Sequence, residues 1–190
     1  RRQRQMCIRD RTDGKQMSIS SYRYSGDRTV LSYEEMNGYC NRAIKLNPNC
    51  KLTLILMQVN DIEDYMKNEG SGFVQDLLQS VQDTVRRHVG HRGIVCPLQP
   101  NLMSVVVQDI NSDIKLRAFI ESLRSRIAWN YRLVDPKYEI SFSFGVACYP
   151  ENGMDMRIVH RKLVKALQMA QEKHANCYVI YKEHLHGELS

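Results

Sequence analysis

Ser141-Phe142-Ser143-Phe144-Gly145-Val146-Ala147-Cys148-Tyr149-Pro150 is the stretch whose reading decides the fold. From Ile140 to Cys148 the larger residues Ile140, Phe142, Phe144, Val146 and Cys148 alternate with smaller ones, the two-residue period of a strand, and Tyr149-Pro150 stops it. Upstream, Asn111 or Ser112 can cap a helix that runs to about Trp129, with Leu116, Phe119, Ile120, Leu123 and Ile127 as its buried stripe. Downstream, the spacing predicts a helix from Arg157 to His174 with Val159, Leu163, Ala166, Leu167 and Ala170 inward. A short last strand follows, from Tyr178 to Tyr181.

Further out, Leu52 to Val59 is a continuous apolar run, the pattern of a central strand buried on both faces. A short helix is predicted from about Asp61 to Glu69, broken at Gly70 and Gly72. A longer one runs from about Phe73 to Val89, with Phe73, Leu77, Leu78, Val81 and Val85 on one face. Strands at Ile94–Leu98 and Leu102–Gln108 flank Gln99-Pro100-Asn101, a connection of hairpin length. Leu31 to Leu46 has helical spacing and ends at Asn47-Pro48-Asn49. From Leu52 the order is β, α, β, β, α, β, then α and β, and the first six match the ferredoxin-like split βαβ arrangement. The expected class is therefore α/β (α+β): a central, mostly antiparallel sheet with packed helices, in one domain over residues 29–182. Residues 1–28 and 183–190 read as tails.

A chain of 190 residues suits one domain with a sizeable core. Its charge of +6 is concentrated at the start. Residues 1–11 carry five arginines and one aspartate, leaving +2 for the other 179 residues, too even a balance to imply nucleic acid as a partner. Met6-Cys7-Ile8-Arg9-Asp10-Arg11 resembles translated sequencing-adapter strings; the alternatives are a disordered basic tail and a polybasic anchor. The longest apolar run, Leu52 to Met57, is too short to span a bilayer, and no signal-peptide pattern is visible, so the expected location is cytoplasmic, with any membrane tether outside this segment. The six cysteines, Cys7, Cys40, Cys50, Cys96, Cys148 and Cys177, form no CxxC pair and read as reduced thiols rather than a disulfide framework.

Two stretches resemble the GGDEF (diguanylate cyclase) family. Ser141 to Pro150 is similar to that family's "SiGvAxYP" strand. Ala166-Leu167-Gln168-Met169-Ala170-Gln171, with Asn176 and Tyr181, is similar to its last helix and strand, "ALYxAKxxGrNxvxxY". The family's "DIDxFKxINDxxGH" segment lies over Gln58 to Ser71 without a gap and places its glycine on Gly70. Its "DlvaRlGGDEF" hairpin then falls on Gly93 to Met103. The likeness covers about Leu31 to Tyr181 and rests on spacing and element order, because the signature residues are absent.

What the resemblance implies about the site is a series of losses. The family's two Mg²⁺-binding carboxylates fall on Gln58 and Asn101, both neutral amides, where a hard divalent ion prefers anionic oxygen. Its guanine-reading positions fall on Met66 and Gln75. The five signature residues become Gln99, Pro100, Asn101, Leu102 and Met103, so two glycines, an aspartate and a glutamate are gone, and Pro100 also lacks an amide donor. The phosphate-meeting lysine becomes Gln171, and the product-binding RxxD motif would fall on Gly90 to Gly93 without either charge. No catalytic residue, metal or cofactor is therefore expected. A frame shift could offer Asp61, Glu63 and Asp64 as carboxylates, but it would break the Gly70 match; they read as the solvated start of a helix.

Other candidates are weaker. His88 and His91 read as a surface pair, His184 and His186 as part of a polar tail, and Trp129 as the edge of the core. The expected function is that of a catalytically inactive regulatory or interaction module in a bacterial signalling protein. The alternatives are a GTP-binding regulator without turnover and an active cyclase making c-di-GMP. Expected partners are sensor or output domains of the same or another signalling protein and a second copy in a homodimer, with no nucleic acid and no membrane within this segment. The helix at Leu31–Leu46 and the turn at Gln99–Asn101 are the expected contact surfaces, the turn as an exposed apolar tip at Pro100 and Leu102, with Met36 and Leu102 as the positions at which substitution tests them.

Overall fold

The computed structural model describes residues 33–108, 110, 112–132 (131 and 132 in backbone only), 140–173 and 176–187. The expectations for residues 1–32, Asn111 and 188–190 lie outside the described residues. In chain order the elements are α1 (Tyr33–Leu46), β1 (Leu52–Val59), α2 (Ile62–Glu69), α3 (Ser71–Val89), a 3-10 turn at Gly90–Arg92, β2 (Gly93–Gln99), β3 (Leu102–Gln108), α4 (Asp113–Arg132), β4 (Phe142–Tyr149), α5 (Met156–Glu172), β5 (Cys177–Ile180) and α6 (Glu183–His186).

Local chemistry sets the boundaries. The Ser112 hydroxyl accepts from the Lys115 amide at 3.3 Å and starts α4, and the Asp155 carboxylate accepts from the Arg157 amide at 2.8 Å and starts α5. Gly70, at φ 87°, lies between α2 and α3 in a conformation that a side chain would strain.

The strands form one sheet in the order β2-β3-β1-β4-β5. The pairs β1–β3, β1–β4 and β2–β3 are antiparallel, and only the short β5 runs parallel to β4. This is the expected mixed α/β architecture. The strand alternation divides the core between the two faces. Ile55, Met57 and Val59 join Phe142, Phe144 and Val146 under α3 and α4. Leu52, Leu54 and Leu56 point the other way, under α1 and α5. Both faces of β1 are covered, which is why its sequence is an unbroken apolar run.

Several expectations need correction. Residues 183–186 do not trail away as a tail. They form α6, in which the Lys182 amide donates to His186 Nδ1 at 2.8 Å and Lys162 pairs with Glu183. Trp129 is not at the core edge but is 65% exposed. Met36 is buried beneath α1, Met103 is fully buried, and Leu102 is half-buried against the α1–α5 core, so neither Met36 nor Leu102 stands out on a contact surface. The apolar periodicity of α1 is the periodicity of its inward face. No disulfide is seen among the described residues, and burial pushes the Cys40 thiol up to about 12 and the Cys96 thiol up to about 11, out of the thiolate range at neutral pH.

His88 is not on the surface either. Its ring is buried 4.7 Å from that of Phe119, with Nε2 3.2 Å from the Phe119 carbonyl, while His91 remains exposed. Burial pushes the His88 imidazole below its ordinary value, with the Phe119 carbonyl opposing and Arg126 and Arg92 adding to the depression. The folded state then binds fewer protons than the unfolded one. This contribution is complete above the ordinary histidine range of about 6.5 and is lost as the pH falls below it. Denaturant unfolding between about pH 7 and about pH 5 is expected to show stability falling with acid, less steeply in His88→Gln than in the parent. Equal slopes would assign the acid sensitivity to other groups; His160 and His186, also depressed by burial, act in the same direction in both proteins.

Candidate functional site

One end of the sheet gathers the residues that the sequence singled out. At the end of β1 the Val59 amide donates to the Asn101 carbonyl at 2.9 Å, and Asn101 Nδ2 donates to the Val59 carbonyl at 3.2 Å. The β2–β3 turn is thereby clamped to β1. Gln58 lies between Leu102 of β3 and Ser143 of β4 in the strand register. From α5, Gln171 Nε2 reaches across to Gln58 Oε1 at 2.6 Å. These two residues are 113 apart in sequence and meet because α5 returns along β4 to the same end of the sheet.

A second cluster lies beside them. The Asn60 amide donates to the Ser141 carbonyl at 2.9 Å, and Asn60 Nδ2 donates to the hydroxyls of Ser141 at 2.9 Å and Ser143 at 3.1 Å. Sequence reasoning missed Asn60. The available signal was its place two residues after Gln58, beside the polar start of a strand that otherwise alternates bulky apolar side chains.

Together these groups line a cleft of about 710 Å³. Its wall is Gln58, Asn60, Asn101, Ser141, Ser143 and Gln171, and its rim carries Asp61, Glu63 and Asp64, exposed as expected for the start of a helix. No lysine, arginine or histidine lines it. Lys67 pairs with Asp64 at 3.9 Å, but both side chains are over 70% exposed, so water screens the pair almost completely. The inner wall is neutral and the rim negative, a setting that repels a triphosphate.

The remaining singled-out positions do not converge on the cleft. Met66 is 48% exposed on α2, and Gln75 is exposed on α3. Gln99 and Pro100 are exposed at the end of the hairpin. Among the described residues no group of three or more His, Cys, Asp or Glu side chains is arranged to hold a metal ion. The donor set does not fit Mg²⁺: Gln58 and Asn101, where the resemblance places its ligands, offer amides already bonded to another amide or to backbone, and the rim carboxylates Asp61, Glu63 and Asp64 are not grouped to hold an ion. No helix among the described residues is long and apolar enough to cross a membrane.

Comparison with known proteins gives one consistent result. The family profile described as "Diguanylate cyclase, GGDEF domain" matches residues 33–177. Among solved structures, the GGDEF domain of YfiN from Pseudomonas aeruginosa is 14% identical with a TM-score of 0.68, over 80% of this chain and 91% of that one. The active GGEEF domain of a diguanylate cyclase from Vibrio cholerae is 16% identical with a TM-score of 0.66, over 76% and 90% of the two chains. The GGDEF domain of DgcB from Caulobacter crescentus, solved with c-di-GMP, is 11% identical with a TM-score of 0.64, over 80% and 91%. A curated relative, an uncharacterized protein of Synechocystis, is 17% identical over 142 residues; the match takes in 75% of this chain but only 20% of that protein's length.

Proposed function

Because this chain belongs to the GGDEF, or diguanylate cyclase, domain family, we propose that it is a member without turnover, acting as a regulatory or interaction module within a larger cytoplasmic signalling protein. One observation carries this: at the two positions where the family resemblance places Mg²⁺ carboxylates stand Gln58 and Asn101, each engaged in an internal hydrogen bond. Attack of a 3′-hydroxyl on an α-phosphate needs cationic support for the charge that develops. The amide wall carries no charge to supply that support or to recruit it, and the rim carboxylates are not grouped to hold a metal ion among the described residues. Gln171 stands where the resemblance places a phosphate-meeting lysine, and its amide is spent on Gln58. The partners proposed are sensor or output domains. In the Synechocystis relative the matched region is about a fifth of a much longer chain, which is consistent with a domain of this kind working beside others.

The test is an overnight reaction of the purified chain with GTP and Mg²⁺ or Mn²⁺, resolved by chromatography. No c-di-GMP above a no-enzyme control is expected, and product above it overturns the proposal. The Gln58→Asp, Asn101→Asp double variant is also expected to be silent. It restores carboxylates but leaves Met66 and Gln75 turned to solvent and no cation in the cleft. Turnover by that variant alone would show the two amides to be the sole barrier. Calorimetric titration with Mg²⁺ and GTP separates a domain that binds nucleotide without product from one that ignores it.

A further inference from the structure

After β5 the chain turns into α6, which is folded back on α5 by polar contacts. Lys162 of α5 pairs with Glu183 at 2.5 Å, and Lys165 Nζ donates to the His186 carbonyl at 3.0 Å. The Tyr181 hydroxyl donates to the Gly187 carbonyl. The fourth contact is of a different kind: the Lys182 amide donates to His186 Nδ1 at 2.8 Å. A helix of four residues does not hold by itself. No residue of α6 is buried, so these contacts, and not an apolar face, keep it in place.

Of the four, only the last depends on a group that titrates near neutral pH. A backbone N–H can only donate, so His186 Nδ1 must keep its lone pair and the imidazole must be neutral. A proton on Nδ1 would set two donors face to face. The groups around the ring do not favour the charged form either. On α6 stand His184 and Glu183, and the Glu183 carboxylate lies on Lys162. From α5 come Lys162 and Lys165, with Lys173 at the end of that helix. The Tyr181 ring, 5.4 Å from that of His186, already carries Lys162 Nζ at 5.3 Å. Lys182 turns its own Nζ to Glu151 and Asp113. Burial, and then Lys173, Lys165 and His184, hold the imidazole below its ordinary value. Docking therefore favours the neutral ring. Its contribution is complete above the ordinary histidine range of about 6.5 and is lost as the pH falls below it.

We propose that α6 is a clasp that acid opens: a proton on His186 Nδ1 expels the Lys182 amide and frees residues 183–187 from α5. Release takes Glu183 from Lys162, the His186 carbonyl from Lys165 and the Gly187 carbonyl from Tyr181. The direction in which the chain leaves β5 is thus fixed at neutral pH and free in acid. None of these residues lines the cleft, so the clasp is independent of whether the cleft turns over. Nuclear magnetic resonance of the ¹⁵N-labelled full chain from about pH 8 to about pH 5 tests it. The amide signals of residues 182–187 are expected to move with the titration of the His186 ring. Exchange protection of the Gly187 amide, relative to its intrinsic rate, should fall by roughly tenfold, the order expected when a hydrogen bond is lost and a charge left in its place. The amides of α5 from Val159 to Ala170 should keep their protection. His186→Gln, which has no proton to gain, should be equally protected at both ends of the range. His186→Ala should be loosened at both. His184→Gln, at an exposed neighbouring position, should open in acid as the parent does. Unchanged protection in the parent, acid opening of His186→Gln, an alanine variant as protected as the parent at the alkaline end, or a His184→Gln chain that stays closed would each overturn the proposal. None of these outcomes bears on the absence of c-di-GMP synthesis.

Discussion

Replacing Gly145 with alanine is expected to destabilise the domain by about 3 kcal/mol or more, the upper part of the range for overpacking a filled core. For a chain of this size that lowers the melting temperature by roughly 6–12 °C. An added Cβ would lie 2.4 Å from the Leu167 amide nitrogen and 2.7 Å from the Leu163 carbonyl oxygen. Both contacts are with helix backbone, which cannot rotate aside, so α5 must lift from β4. Gly38→Ala is the control. Its Cβ meets nothing within 4 Å, and in the middle of α1 it should gain about 0.5–1 kcal/mol from helix propensity. Thermal melts followed by circular dichroism compare the two. Equal melting temperatures would mean that α5 is not seated on β4 as closely as these distances require. Gly145 belongs to the stretch that most clearly shows the family, and its role is packing. This is how the likeness of fold can persist where the signature residues have gone.

The second large effect is at α1. Met36 is 1% exposed and packs with Tyr39, Cys40 and Ala43 against the sheet. A glutamate there buries a carboxylate among apolar side chains, a cost of several kcal/mol. Met36→Glu is therefore expected either to undock α1 or to unfold the chain. Near-ultraviolet circular dichroism and amide exchange over residues 33–46 distinguish the two outcomes. Leu46→Glu, at the end of the same helix and 68% exposed, should change neither. A Met36→Glu protein with native spectra and unchanged exchange would show that α1 contributes little to the core.

The order of elements, the central strand and the family likeness were legible in the sequence because each is written in local pattern. β1 is an unbroken apolar run, β4 alternates from Phe142 to Cys148, and Gly70 and Gly145 punctuate the chain where backbone geometry or close packing leaves no room for a side chain. The absence of acids from Gln58 and from Leu98 to Val107 is likewise a fact of the sequence. What each side chain meets was decided only by the tertiary structure. His88 and Trp129 sit on helices of similar pattern, yet one is sealed against Phe119 and the other faces water. Periodicity fixes the faces of a helix, but not how far along its length the neighbouring layer extends. Residues 183–186 lack an apolar period and are held as α6 by Lys162 and by the Lys182 backbone, contacts no local pattern announces. Gln58 and Gln171, or Asn60 and Ser141, are neighbours only because the antiparallel sheet and the return of α5 bring distant residues to one end. A hydrogen bond between neutral side chains needs both partners within about 3 Å, and only the folded chain sets that distance.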